Sequence, residues 1–164
     1  MSPGEVCMAA IDVNEVVGQI LDVLREAFEG PRERWSYFTD NRSDAGLFGT
    51  LGRLAASDAS RTRGKTSIAA HVNHVIFGLD ASARWIEGDR TTHDWKESWS
   101  AGTVDDAQWA RMLDKLKISY QDMRRDIELY ASSSKESMGG VIGALAHVAY
   151  HLGAIRQKVS FDAV

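Results

Sequence analysis

Two short segments carry histidines at spacings that could do chemistry. "ALAHVAYHLGAIRQ", residues 144–157, sets His147 and His151 four residues apart among apolar and small side chains. "TSIAAHVNHVIFG", residues 66–78, sets His71 and His74 three apart. Residues on a helix turn by about 100° each, so an i, i+4 pair lies about 40° apart on one face. Two imidazoles placed in this way can hold one divalent cation, and neutral imidazole is the commonest side-chain metal ligand. The bland alternative is a pair of rim histidines, hydrogen-bonded or half exposed. The second segment weighs against it, because a buried imidazole without a partner costs roughly 1–3 kcal/mol per unsatisfied group. A shared cation would satisfy several together. The zinc-protease pattern places Glu directly after its first His; Val148 stands there, so no local general base accompanies the pair. Gly140, Gly143, Ala144 and Ala154 fall in the same angular sector and leave room for something other than packed side chains.

The periodicity predicts four helices to position these groups. The first runs from about Asp12 to Glu29: Asp12 and Glu15 make a capping-box-like start, and Val13, Val16, Val17, Ile20, Leu21, Leu24 and Phe28 recur at helical spacing. Gly30 and Pro31 stop it. The second spans about Ser67 to Glu87, with its polar residues Asn73, Asp80, Arg84 and Glu87 confined to a narrow sector, the pattern of a helix buried over most of its circumference. The third, about Val104 to Ala131 with Thr103 as N-cap, carries a seam of Trp109, Leu113, Leu116, Tyr120, Met123, Ile127 and Tyr130. The fourth, about Met138 to Ser160, has a seam of Val141, Leu145, Val148, Leu152, Ile155 and Val159. No strand-like alternation appears, so the expected fold is all-α, a four-helix bundle over 12–160 behind a flexible N-terminus at 1–11.

Residues 31–65 read as a long connection in which "GLFGTLGRLAA" could form a short helix. "RGKTS" there suggests a phosphate-binding loop, but Ala59 stands where that motif needs its first glycine and no strand precedes it. On the helical wheel, His71 sits nearer the centre of the apolar sector than His74, and either can point inward. His93 could enter a site but reads first as a solvated loop histidine, and Asp94 is no better supported as a fourth ligand. Trp35, Tyr37 and Phe38 read as satellite core or as the lining of a pocket mouth. Cys7, the only cysteine, excludes an intrachain disulfide or thiolate cluster and is not expected to be a catalytic thiol.

Composition narrows the partners. A net charge of −4 with no basic stripe gives no footprint for nucleic acid. The apolar runs fall short of the ~20 residues of a spanning helix, and the first residues lack a signal-peptide pattern, so a soluble cytoplasmic protein is expected.

The order of elements resembles the DinB/YfiT-like proteins, four-helix-bundle metalloenzymes with one metal-binding His on the second helix and a His-x-x-x-His pair on the last. "TSIAAHVNHVIFGLDASARWIEG" looks like their second helix and "AHVAYHLGAIRQ" like their last, while "HDWKESWSAGTVDDAQW" is similar to the linker of one subgroup. The resemblance implies a divalent transition metal (Zn, Ni, Fe or Mn) on His74, His147 and His151, with open coordination positions and His71 as their partner or substitute. After His151 the chain departs from the pattern, reading Leu152-Gly153-Ala154 where many members read Arg-Gly-Gln. The resemblance further implies a thiol-dependent S-transferase acting on a small-molecule thiol and an electrophilic substrate, and a homodimer. A metal-dependent hydrolase and a non-catalytic metal or small-ligand binding bundle are the alternatives.

Overall fold

The computed structural model describes residues 10–32, 35–62 and 64–160; Cys7 and most of the expected N-terminal segment lie outside them. Among the described residues the fold is all-α, without a strand. Four long helices dominate: α1 (Val13–Glu29), α4 (Ile68–Glu87), α5 (Asp106–Tyr130) and α6 (Lys135–Ser160). The connection after α1 holds two one-turn helices, α2 (Leu47–Leu51) and α3 (Ala56–Ser60). α4 packs on both α5 and α6, and α1 touches both α5 and α6, so the apolar faces of the four converge on one core.

The helix ends follow from local chemistry. Asp12 caps α1 by accepting from the Asn14 N–H, and Gly30 closes it at φ 92°, where an added Cβ would stand 2.5 Å from the Ser43 carbonyl oxygen. Ser67 caps α4 by accepting from the Ala70 N–H, and Gly88 ends it in the left-handed region at φ 104°. α5 corrects the expected boundary. Its N-cap is Asp105, not Thr103, in a full capping box with Gln108, so the helix starts two residues later than its apolar periodicity suggests. α6 begins at Lys135, three residues ahead of the expected Met138.

Most of the expected seams are buried. Leu24 and Phe28 of α1, Leu116, Met123 and Ile127 of α5, and Val141, Val148, Leu152 and Ile155 of α6 are closed to solvent. Leu21, Leu113 and Leu145 are only partly buried, and two seam residues at helix ends are exposed, Val13 at 45% and Tyr130 at 37%. Phe28 stacks on Tyr120 at 4.4 Å, and the Tyr120 hydroxyl donates to Glu29 at 2.6 Å, which ties α1 to α5. Asp80 on the polar sector of α4 accepts from the Ser119 hydroxyl at 2.8 Å and pairs with Lys115 at 3.1 Å, which ties α4 to α5. By length and composition α6 could cross a membrane, which the count of consecutive apolar residues did not anticipate; here it packs against α4 and α1.

The long connection is pinned rather than loose. Buried Glu26 of α1 accepts five hydrogen bonds from residues 36–39: the N–H groups of Tyr37, Phe38 and Thr39, and the hydroxyls of Ser36 and Thr39, at 2.7 to 3.1 Å. Asp40, next in the chain, pairs with Arg42 and with Arg156 of α6. Trp35, Tyr37 and Phe38 are all substantially exposed, so they are not satellite core. Trp35 and Tyr37 border a hollow of about 180 Å³ whose lining includes none of the histidines.

Burial pushes the Glu26 carboxyl up, but the three backbone N–H bonds and the Thr39 hydroxyl outweigh it and hold the group at about 2. The folded chain therefore binds this proton less readily than the unfolded chain. Its contribution is full above the ordinary value of 4.5 and is lost as pH falls towards about 2. The shift corresponds to about 3 kcal/mol. Urea denaturation at stepped pH should show stability falling through that window. Glu26→Gln, which leaves N–H donors facing an amide, should cost about 2–3 kcal/mol at pH 7 and flatten the acid limb. An unchanged acid limb in the variant would remove Glu26 from this role.

Candidate metal centre

α4 and α6 run antiparallel and present one histidine stripe each to the space between them. His74, His147 and His151 each bring a ring nitrogen into a group whose members all lie within 4.8 Å of one another. The Nε2 atoms of His74 and His147 are 3.0 Å apart. Two nitrogens about 2.1 Å from a common cation stand roughly 3.0–3.4 Å apart, so this pair already has the spacing of shared ligation. His71 lies one imidazole further out, its Nδ1 2.9 Å from Nδ1 of His151. His71, His74 and His151 are buried, and His147 is half-buried.

Each of the two deeper imidazoles has a polar partner behind it. The Ser98 hydroxyl donates to the Trp95 carbonyl at 2.6 Å, which leaves its oxygen to accept from His74 Nδ1 at 2.5 Å. A proton on Nδ1 turns the Nε2 lone pair of His74 towards the cluster. Behind His151, the Thr66 hydroxyl lies 3.0 Å from His71 Nε2. With protons on His151 Nδ1 and His71 Nε2, the row His151–His71–Thr66 is satisfied and leaves His151 Nε2 as a lone-pair donor. Burial lowers the basicity of all four imidazoles: His71 and His74 fall to about 4 and His151 to about 3, with neighbouring cations and imidazoles adding to the effect, and His147 also falls. At neutral pH all four are uncharged, the form that ligates. Among the described residues none of them pairs with a carboxylate.

Sequence reasoning missed three contributors. The linker between α4 and α5 folds into a 3₁₀ turn at Glu97–Trp99, held on α4 by the Asn73 amide donating to the Ser98 carbonyl at 2.7 Å. That turn supplies Ser98 and lays the Trp99 ring on His74, with centroids 4.0 Å apart and planes 20° apart. No helical periodicity runs through this linker, and its similarity to a subgroup's linker singled out neither Ser98 nor Trp99. The third contributor is Gly78. A Cβ there would lie 2.5 Å from Cε1 and 2.8 Å from Nδ1 of His147. The available signal was a glycine inside a helix, one turn after His74, at a cost of about 1 kcal/mol relative to alanine. His93 does not join the cluster; it is half-buried, with its ring 6.0 Å from Phe77. Asp94 instead accepts from the Lys96 N–H in the linker.

No known protein-family model, curated protein or solved structure matches the chain.

Gly78→Ala separates the site from the fold. The atom it meets is the tip of a mobile side chain, so His147 can rotate away, and alanine is the better helix former. The variant should retain its thermal midpoint within a few degrees while its affinity for cobalt(II), read by absorbance titration, falls at least tenfold. Wild-type affinity in the variant would mean that His147 needs no such clearance.

Proposed function

We propose that the chain binds one divalent transition metal through His74, His147 and His151 and uses it as an enzyme, transferring a low-molecular-weight thiol to an electrophile. The carrying observation is a cluster of three uncharged imidazoles, each donor within 4.8 Å of the others, with no carboxylate paired to any of them among the described residues. A cation held by three neutral ligands keeps its full 2+ charge and an open position, where it can acidify a thiol or a water. The chain's own groups support this: Ser98, whose hydroxyl is spent on the Trp95 carbonyl, holds the proton of His74 on Nδ1, and the tautomer of His71 that donates to Thr66 leaves the Nε2 of His151 free to ligate. The order of the histidine-bearing helices supports a DinB/YfiT-like four-helix bundle, and through it the thiol reading.

Hydrolysis by metal-bound water is the second reading: the same cation would acidify a water as it would a thiol, and the uncharged His71 imidazole beside the cluster is a base of the right kind. A non-catalytic metal-binding bundle is the remaining alternative.

Elemental analysis of the purified protein should give about one transition metal per chain. His147→Ala and His151→Ala should each abolish stoichiometric metal, while His71→Ala should weaken it 10–100-fold, the usual cost of removing a group that orients a ligand. Full metal in the His147→Ala, His151→Ala double variant would sink the site. Glutathione-dependent consumption of monobromobimane, lost on chelation and restored by metal, would support the transferase reading. Stoichiometric metal without turnover of any thiol would favour the binding bundle.

A further inference from the structure

The two facing stripes continue beyond the histidines. On α4, His74, Gly78, Ser82 and Trp85 follow one another at helical spacing; on α6, His151, His147, Ala144 and Gly140 run the opposite way. Between their far ends lies a cavity of about 310 Å³ bounded by Trp85, Trp95, Gly140, Gly143, Ala144 and His147. Its size is at the lower end of the about 300–1,000 Å³ typical of small-molecule sites. It shares Ser82, Trp85 and Trp95 with an outer cavity of about 420 Å³ that ends in Asp89, Arg90, Thr91 and Thr92.

Three features mark the inner cavity as a ligand site. Its walls are two indoles that stay 43% and 46% exposed although the Arg90 guanidinium lies over the Trp85 ring at 3.9 Å and Phe77 packs against Trp95 at 5.2 Å, which leaves aromatic surface open to a ligand. Its floor is stripped of side chains: a Cβ at Gly140 would stand 2.7 Å from Trp85 Cδ1, whereas one at Gly143 would meet nothing. It opens onto His147, the half-exposed member of the cluster, with the Trp95 ring 6.2 Å from the His147 ring. The polar rim of the outer cavity limits how far an apolar group can extend, which suits a ring rather than a long alkyl chain.

We infer that this cleft binds the flat apolar group, aryl in size and shape, of a small molecule whose donor atom reaches the cation beside His147. The inference rests on the metal reading above and adds the part of the ligand that the chain selects.

The full-length protein loaded with cobalt(II) tests both separately, since cobalt uptake and sulfur-to-cobalt charge transfer absorb at different wavelengths. The probes are benzyl mercaptan and 2-mercaptoethanol, which share a thiol and differ in the ring. Benzyl mercaptan should bind at least tenfold more tightly. Gly143→Leu, which fills the cleft from an open position, and Trp85→Ala, which removes a wall, should each reduce that preference to within threefold while leaving cobalt uptake unchanged. Equal affinity of the two thiols for the wild-type protein, or a preference that survives both substitutions, would overturn the cleft while leaving the metal reading intact. Failure to take up cobalt would overturn the metal reading, and the cleft as the subsite of a metal ligand with it.

Discussion

The His147 ring occupies the space that a side chain at position 78 would fill, and the rest of the site depends on that contact. α4 and α6 approach closely enough for an imidazole from one to lie against the backbone of the other. Only then do the two Nε2 atoms of His74 and His147 come within 3.0 Å. A larger residue at 78 would drive the ring outward, and a wider helix spacing would leave two separate histidine stripes. The core sets that spacing. Val148, Leu152 and Ile155 on α6 and Val72, Val75 and Leu79 on α4 are closed to solvent beside the cluster, so the distance between the helices is fixed by close packing and not by the imidazoles.

Burial gives this group of histidines its chemical character. An imidazole in water near neutral pH is partly protonated; here desolvation shifts the balance to the free base, and nearby positive charge adds to it. Each buried ring still needs its polar atoms satisfied, and the chain meets that need with hydroxyls and neighbouring imidazoles, which add no formal charge. A carboxylate behind a histidine would make it a stronger donor and would also neutralise part of a bound cation. With hydroxyls as the backing groups, the donor set is oriented but neutral, which favours acidifying whatever binds opposite.

How much of this was legible in the sequence differs by element. α1 and α4 were read nearly to the residue: Asp12 and Gly30 bracket a clear apolar period in α1, and the narrow polar sector of α4 ends at Glu87, its last helical residue. α5 was read two residues long at its start, since Val104 continues the apolar pattern while the capping box belongs to Asp105 and Gln108. The wheel ranked His71 above His74 because it weighs burial alone. In the structure both are buried; His74 stands in the three-nitrogen group, and His71 reaches His151 from behind. Ser98 and Trp99 were beyond reach. They come from a linker 24 residues past His74 whose path is set by one long-range bond from Asn73. Gly140, Gly143 and Ala144 do line open space as their sector implied, though Ala154 is not among the residues bounding it.

The segment least readable from sequence also turns out to help fix the site. Glu26 gathers residues 36–39 onto α1, and Asp40, at the end of that strap, pairs with Arg156. Arg156 lies little more than one helical turn beyond His151, so the strap links α1 to the part of α6 that carries the second ligand of the pair. From the other side, the Lys158 ammonium donates to the Thr66 carbonyl at 3.0 Å, and the Thr66 side chain meets His71. The C-terminal half of α6 is thereby tied to α1 and to the start of α4 at adjacent turns. Interdigitated apolar packing sets both the distance between helices and their axial register. The polar ties of the connection add two directional contacts to that register on the turns beside His151.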